Sequence, residues 1–159
     1  MKFCPFCQNK LLTATIDNKI RLKCSSLSCD YVFWNNPVPV VAAIVEQDGL
    51  IVLARNQMWP EDKYALIAGF LEAYESPEEA IIREIKEELN VSGKIISFVG
   101  HYPFFEKNQL LLIFHVKITG EIKLGQELAD IKRIHPDNLA AWPKGTGLGV
   151  KDWLIRRNK

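Results

Sequence analysis

The sequence predicts an α/β domain preceded by a small cysteine-rich β domain. Three observations support this organisation of the 159 residues. All four cysteines lie within residues 1–29, strand and turn signals recur between residues 40 and 135, and one amphipathic helix at residues 76–90 interrupts the strands. We therefore expect one domain at residues 1–33 and a second at residues 34–159, linked through the segment 30–39 with its two prolines and two asparagines.

Composition narrows the class of protein. A hydrophobic fraction of 48% is enough for a buried core, and a net charge of +1 provides no chain-wide field for nucleic acids or anionic membranes. No stretch approaches the roughly 20 apolar residues of a membrane span. The first ten residues lack the apolar run of a signal peptide, so we expect a cytoplasmic protein with reduced cysteines.

The cysteine spacing predicts a structural zinc site. Cys4 and Cys7 form one pair, Cys24 and Cys29 form the other, and the 16 residues between the pairs have the pattern of a β-hairpin. Such a short segment buries little apolar surface, so metal binding would supply its folding energy. Two disulfides are the alternative, which the lack of a secretion signal disfavours. Four thiolates leave no open coordination position, which excludes a catalytic role for this zinc.

The rest of the chain reads as strands around helices. In the predicted hairpin of the first domain, Leu11–Ile16 is followed by a turn at 17–19 and a return strand at 20–23. In the second domain a polar loop is expected at residues 57–63 and another at 126–129, with a closing helix at 146–157. The predicted strands are residues 40–46, 50–55, 64–68, 93–99, 109–118 and 131–135.

The helix at residues 76–90 has strong boundary signals. Ser76 is a good N-cap, Pro77 suits the first helical position, and Glu79 completes a capping box. Asn90 tolerates the left-handed conformation with which many helices end. The predicted buried side consists of Ala80, Ile81, Ile82, Ile85 and Leu89.

Three glutamates of this helix form a candidate cation site. Glu84, Glu87 and Glu88 lie on one side of the helix, beside Arg83. Carboxylates held this close repel one another, and a hard divalent cation that prefers oxygen ligands would relieve the repulsion. A solvent-exposed acidic face is the alternative, since runs of charge on helices usually face water.

The longer spacing around these glutamates resembles the Nudix box. Gly69, Glu75 and the segment 83–91 follow the pattern G-x5-E-x7-R-E-U-x-E-E-x-G-U, in which U is a bulky aliphatic residue. Eight of its nine specified positions match, and Asn90 replaces the last glycine. Asn preserves the backbone requirement because it also tolerates positive φ.

The resemblance to Nudix enzymes implies an α/β/α sandwich with a mixed sheet and a specific chemistry. It implies hydrolysis of a diphosphate that joins a nucleoside to a second group, with Mg²⁺ or Mn²⁺ bound by Glu84, Glu87 and Glu88. Arg83 would orient these carboxylates, and Glu75 would brace the loop or reach a metal through water. Glu127 occupies the place of a later acid that serves as metal ligand or general base, or else it is an ordinary surface glutamate.

A zinc ribbon followed by this domain resembles the NADH pyrophosphatase branch of the family. Residues 68–72, AGFLE, look like that branch's AGFxE opening, which makes Phe70 and Glu72 candidates for substrate binding. Trp34 stands where the branch has an aromatic residue near the base, although Trp34 and Phe70 could equally be core residues. Tyr102, in HYPFF, stands where the branch's SQPWPFPxS has tryptophan. The missing Ser-Gln leaves NAD(H), ADP-ribose and dinucleoside polyphosphates open as substrates.

These observations favour a metal-dependent pyrophosphohydrolase that acts on a small nucleotide. The alternative is a non-catalytic nucleotide sensor or an RNA-binding zinc-ribbon protein. No membrane is expected as a partner, nucleic acid is expected only as a capped RNA end, and the resemblance suggests a homodimer. The loop at residues 142–147 could close over a nucleotide.

Overall fold

Residues 1–158 are described by a computed structural model, in which the chain forms two compact units divided between Asn36 and Pro37. The first unit is a three-stranded antiparallel sheet ordered β1-β2-β3, with strands β1 (Leu11–Ile16), β2 (Lys19–Cys24) and β3 (Val32–Phe33). Asp17 and Asn18 both have positive φ, 50° and 59°, as expected for a two-residue turn that matches strand twist. The predicted hairpin is confirmed.

The short strand β3 was not predicted from the sequence. It pairs with only two residues of β2, Leu22 and Lys23, inside a segment whose prolines and asparagines suggested a linker. Two residues provide too little alternation to distinguish a strand from a linker.

The second unit is built on a six-stranded mixed sheet. Its strand order is β7-β8-β4-β5-β9, with β6 also paired to β4, and only the β4–β8 pair is parallel. Two short 3₁₀ helices, Phe105–Lys107 and Pro136–Asn138, follow β7 and β9. The elements are β4 (Val38–Gln47), β5 (Leu50–Asn56), β6 (Ile67–Phe70), α1 (Pro77–Leu89), β7 (Ser92–Phe104), β8 (Gln109–Thr119), β9 (Leu128–Ile134) and α2 (Gly147–Arg157).

The central strand β4 is buried on both faces. Its odd-numbered residues 41, 43 and 45 pack in the cluster that contains Ile81 and Ile85 of α1. Its even-numbered residues 40, 42 and 44 pack in a second cluster with Val150 and Trp153 of α2. One helix therefore covers each face of the sheet, and the predicted α/β/α sandwich is confirmed.

Three of the predicted strands have a boundary that differs from the structure by more than two residues. The strand expected at residues 64–68 is Ile67–Phe70, and Ala65 forms only an isolated bridge to Ala54. The strand expected at 93–99 continues to Phe104, because its register with β8 absorbs two bulges before Tyr102 pairs with Leu111. The loop expected at 126–129 is shorter, since β9 begins at Leu128.

Both ends of α1 are capped as predicted. The Ser76 hydroxyl accepts a hydrogen bond from the Glu79 amide, and the Glu79 carboxylate accepts one from the Ser76 amide. Asn90 adopts the left-handed conformation, with φ 55° and ψ 29°. Its side-chain amide donates to the Lys123 carbonyl at 2.9 Å, and the Lys123 amide donates to the Leu89 carbonyl at 3.0 Å. The helix end is therefore tied to the segment that leads into β9.

Replacing Asn90 with alanine is expected to lower the free energy of unfolding by about 1–2 kcal/mol, because alanine is strained at positive φ and loses the bond to Lys123. Asn90→Gly keeps the backbone conformation and loses only that bond, so its cost should be smaller. Urea denaturation of the three proteins measures both effects. A glycine variant less stable than the alanine variant would contradict this reading of the helix end.

Candidate active site

Arg83 of α1 organises the acidic residues of the second unit. Its guanidinium makes two hydrogen bonds to the Glu75 carboxylate, at 3.1 and 2.7 Å. It also donates to Glu84 at 2.6 Å, to Glu87 at 3.2 Å and to the Phe70 carbonyl at 3.1 Å. These five bonds match the five N–H donors of an arginine. Arg83 thus fixes three carboxylates and one backbone oxygen at the start of the glycine loop.

Glu75 braces the loop between β6 and α1. Its carboxylate accepts from Arg83 and from the Glu72 amide at 2.7 Å. The hydrogen bond from Arg83, followed by that from the Glu72 amide, holds the pKa of Glu75 below its ordinary value. Glu75 is therefore an anion tied to the protein on both sides, which suits a positioning role.

Glu84 and Glu88 lie against the end of β6. A Cβ atom at Gly69 would come within 2.0 Å of a Glu84 carboxylate oxygen, so only glycine leaves room for that side chain. Glu88 accepts a hydrogen bond from the Ala68 amide. Burial raises the pKa of Glu84, and burial together with the charges of Glu84 and Glu127 raises the pKa of Glu88 to about 8.

Glu127 is brought to the same place by the segment before β9. The Gly125 amide donates to the Glu88 carbonyl at 2.8 Å, and a Cβ at Gly125 would lie 2.3 Å from the Glu87 carbonyl oxygen. This close approach holds the segment against the last turn of α1. Glu127 is exposed, and together with Glu88 it lines a cleft. Sequence spacing alone left the position of Glu127 open.

The cleft has a volume of 520 Å³, within the range of small-molecule sites. Its floor is apolar and is formed in part by Val40, Ala54 and Leu111. Glu88 and Glu127 are the acids near Arg83 that line it, and the remaining walls carry aromatic and basic side chains. The aromatic residues are Phe70, Trp59, Phe104 and Trp142, and the lysines are Lys63, Lys107 and Lys144.

The residues predicted to bind substrate fall in different places. Phe70 lines the cleft with a ring that is 57% exposed, which favours a binding surface over a core position. Glu72 is exposed and does not line the cleft, and its amide contributes to the loop through Glu75. Trp34 lies in the first unit, where its ring stacks under the Arg21 guanidinium at 4.6 Å and its carbonyl accepts from Arg21 at 2.6 Å.

Tyr102 does not line the cleft. Its hydroxyl donates to Asp152 of α2 at 2.8 Å, and burial and that carboxylate raise the pKa of Tyr102 to about 12. Phe104, two residues further along β7 and on the same face, lines the cleft instead. Tyr102 was selected from the motif alone, because HYPFF places it where the branch's SQPWPFPxS has tryptophan.

Sequence reasoning also missed Trp59 and the three lysines of the cleft. Trp59 and Lys63 lie in a segment that read as an ordinary polar loop, and their partnership depends on a fold of that loop which local patterns do not encode. Trp142 and Lys144 belong to the 142–147 loop, which was expected to approach a nucleotide and which lines the cleft. A Cβ at Gly145 would lie 3.3 Å from the Phe104 ring, so this loop packs on β7.

The four cysteines of the first unit form a compact cluster. Among residues 1–158, their Sγ atoms are the set of three or more potential ligand atoms found within 4.8 Å of one another. The Cys4–Cys29 and Cys7–Cys24 sulfur distances are 3.7 and 3.3 Å, close to the about 3.8 Å edge of a tetrahedron with Zn–S bonds of 2.3 Å. Hydrogen bonds from Asn9 lower the pKa of Cys7 to about 6, which favours the thiolate that zinc binds.

The carboxylates are less tightly gathered than the thiolates. Arg83 engages Glu84 and Glu87. Beyond burial, neighbouring anions raise the pKa of Glu84, next to Glu87 and Glu127, and the pKa of Glu88, next to Glu84 and Glu127. Oxygen donors that repel one another fit a hard divalent cation. Glu88 and Glu127, which line the cleft, together with Glu84 and Glu87 are the residues that would hold it.

Residues 36–151 match the NUDIX domain. The chain belongs to the Nudix family. This match spans most of the chain and includes the loop and helix whose geometry is described above. Its α/β/α sandwich is therefore the Nudix fold.

Similar proteins support the same conclusion. The chain is 30% identical over 149 residues to the NAD-capped RNA hydrolase NudC of Vibrio vulnificus, covering 92% of this chain and 56% of that protein. It is 30% identical over 135 residues to an ADP-ribose pyrophosphatase of Methanocaldococcus jannaschii, covering 80% and 79% of the two chains. The chain thus spans about half the length of the NudC proteins that it matches.

Among solved structures, a NUDIX hydrolase from Nitrosomonas europaea superposes with a TM-score of 0.84 at 22% identity, covering 99% of this chain and 93% of the other. At that identity the likeness establishes the fold alone. Within residues 1–158, the helices are too short or too polar to cross a bilayer.

The raised pKa of Glu88 predicts an unusual pH dependence of stability. Because the folded carboxyl has a pKa of about 8 against an ordinary 4.5, the folded state binds more protons than the unfolded state between these values. Without added metal, the melting temperature should therefore fall as pH rises from about 5 to 8. Mn²⁺ binds the carboxylate form, so its stabilising effect should grow over the same range.

Thermal melts from pH 5 to 9, with and without Mn²⁺, test this. Glu88→Gln should flatten the metal-free profile and melt about 3–6 °C above the parent protein at pH 8, which corresponds to about 1–2 kcal/mol. Glu78→Gln, an exposed change in the first turn of α1, is the matched control. A metal-free melting temperature that rises from pH 5 to 8 in the parent and not in Glu88→Gln would contradict the assignment.

Proposed function

We propose that the protein is a metal-dependent pyrophosphohydrolase that cleaves a nucleoside diphosphate derivative of the NAD(H) or ADP-ribose type. The products would be a nucleoside monophosphate and a second phosphorylated product. The observation that supports the proposal is that Glu88 and Glu127 line the same cleft as Phe70, Trp59 and Trp142. Acids suited to a cation and rings suited to a flat base face the same space.

In the proposed hydrolysis each group of residues has a separate role. Bound Mg²⁺ or Mn²⁺ would supply charge stabilisation for the diphosphate and lower the pKa of a bound water. Arg83 and Glu75 hold the acidic residues and the loop in place. Glu127, which is exposed at the cleft, would accept a proton from the attacking water. The oxygen of that water would bond to one phosphorus while the bridging P–O bond breaks. Phe70 would stack on the base.

The first unit supports a structural zinc in this proposal. Four thiol groups gathered within 4.8 Å leave no position for a substrate, so the zinc would hold the ribbon together and take no part in hydrolysis. The names of the relatives suggest two substrate groups, the capped end of an RNA and ADP-ribose. A small dinucleotide and a capped RNA end share the diphosphate that the cleft would receive.

A non-catalytic nucleotide sensor is the alternative function. It would require a site that binds a nucleotide but lacks part of the acidic set. Here all the acids of the motif are present, and Arg83 uses its full set of donors to position them. This favours the enzyme.

A substrate panel tests the proposal. The purified protein is incubated with Mg²⁺ or Mn²⁺ and, in separate reactions, NADH, NAD, ADP-ribose, diadenosine polyphosphates, nucleotide sugars, nucleoside triphosphates and an NAD-capped RNA. We expect AMP and a second phosphate ester from the dinucleotides or ADP-ribose. A strong preference for triphosphates would reject the substrate class, and an absence of metal-dependent turnover on every compound would favour the sensor.

A further inference from the structure

Two lysines that line the cleft, Lys107 and Lys144, lie where β7 ends, at the pairing of Phe104 with Gln109 of β8. Glu88 is bonded to Ala68, which is level with Ile113, four residues further along β8. We call the end at Phe104, Lys107 and Lys144 the basic end, and the end at Glu88 and Glu127 the acidic end. Glu106 pairs with Lys144 at the basic end, with N–O distances of 2.9 and 3.1 Å, which leaves the Lys107 charge uncompensated among the lining residues there.

Two of the lysines are paired with aromatic rings of the cleft. The Lys63 ammonium lies 4.6 Å from the centroid of the Trp59 ring, and the Lys107 ammonium lies 5.7 Å from that of Phe104. The 142–147 loop brings Lys144 to the Phe104 corner, because Gly145 packs on Phe104. Each ring thus has an ammonium group over one face, which matches a nucleoside that carries a phosphate.

A diphosphate held by a cation at the acidic end does not account for this basic end. The metal neutralises the diphosphate where it binds, so further lysines add binding energy only if the ligand carries charge elsewhere. We propose that the basic end of the cleft binds an additional phosphate group on the nucleoside, and that Lys107 and Lys144 are specificity-determining residues for it. This inference rests on the proposed function in assuming that a nucleotide occupies the cleft.

In the free protein, the Lys144–Glu106 pair opposes the binding of a phosphate at Lys144. Both side chains are more than 60% exposed, so the pair is weak and easily exchanged for a phosphate contact. Binding of a phosphate at Lys144 would compete with the Glu106 carboxylate. Removing the lysine and removing the glutamate should therefore have opposite effects, which a purely structural role of the pair would not produce.

Binding of small ligands tests the proposal without relying on hydrolysis. Calorimetry compares adenosine 2′,5′-bisphosphate and adenosine 3′,5′-bisphosphate with AMP, in the presence of Mg²⁺ and at low salt. We expect one bisphosphate to bind about tenfold more tightly than AMP, with a preference that shrinks as salt is raised. Lys144→Gln and Lys107→Gln should each reduce the preference about three- to fivefold, and Glu106→Gln should increase it. Lys151→Gln, an exposed change on α2 outside the cleft, should leave the preference unchanged.

Equal affinities for AMP and both bisphosphates, or a shift in the same direction for Lys144→Gln and Glu106→Gln, would overturn the proposal. Two comparisons of substrates then decide the source of the phosphate. The first compares NADPH with NADH, and the second compares an NAD-capped RNA trimer with NAD. A gain in kcat/KM with NADPH identifies a 2′-phosphate, and a gain with the trimer alone identifies the phosphodiester of an RNA chain. A protein that binds a bisphosphate preferentially but hydrolyses neither these substrates nor any compound of the earlier panel would reject the proposed function and retain this inference.

Discussion

Glu87→Gln and Glu88→Gln are each expected to lower kcat by about 10³-fold or more, because an amide is a poor ligand for the cation that stabilises the diphosphate in the transition state. Glu87 is 59% exposed and bonds only to Arg83 at 3.2 Å, so its replacement should leave the fold intact. The measurement is steady-state hydrolysis of the best substrate of the panel, together with circular dichroism of each variant.

The control for this series lies on the same helix. Glu78→Gln removes an exposed carboxylate from the first turn of α1 and should retain the parent activity. A Glu87→Gln protein with more than about a tenth of the parent kcat would show that this acid does not hold the cation. A folded but inactive Glu88→Gln protein that also melts higher than the parent would show that the same carboxylate is costly to the fold and required for turnover.

Removal of zinc should unfold the first unit. The three strands of residues 1–36 are short, and Phe3, Phe6 and Ile20 are more than half exposed, so this unit lacks a substantial apolar core. Structural zinc in comparable small units contributes about 10–16 kcal/mol of binding free energy at neutral pH, which is far more than this surface can supply. We expect one zinc per chain, and loss of amide protection in β1 and β2 when a strong chelator removes it.

Cys24→Ser tests the same site genetically. Cys24 is 5% exposed and lies 3.3 Å from the Cys7 sulfur, so its replacement should abolish zinc binding. Ser25→Ala, an exposed change at the next position, is the matched control and should keep the metal. Metal analysis and amide exchange measure both outcomes. A protein that contains no zinc as purified and keeps a protected β1–β2 hairpin would contradict the prediction.

The fold was predictable where the sequence signals are local. Both ends of α1 were predicted, because Ser76, Pro77 and Asn90 specify them through neighbouring backbone groups. The strand β4 was recognisable because a continuous apolar run is buried on both faces. The end of β7 was missed because bulges between residues 95 and 100 break its alternation, and its last residues are held by pairing with β8, which is distant in sequence.

In the candidate site, too, the sequence predicts the residues that are local to one element and misses those that the tertiary fold brings together. Arg83, Glu84, Glu87 and Glu88 could be chosen from spacing, because they share one helix. Tyr102 was selected from a motif, and the structure turns its hydroxyl toward Asp152. Trp59, Phe104 and Lys144 come together only through the tertiary fold, from three segments that are far apart in the sequence. No local pattern could identify them.

The bond from Arg83 to the Phe70 carbonyl has a consequence for engineering. The guanidinium that positions the acidic groups hydrogen-bonds the backbone of Phe70 and leaves the Phe70 ring exposed in the cleft. If Phe70 stacks on the base as proposed, exchanging its ring for another side chain should alter which base is accepted without disturbing the spacing of the acidic groups. Position 70 would then be the first to vary in redirecting the proposed hydrolysis to new nucleotides.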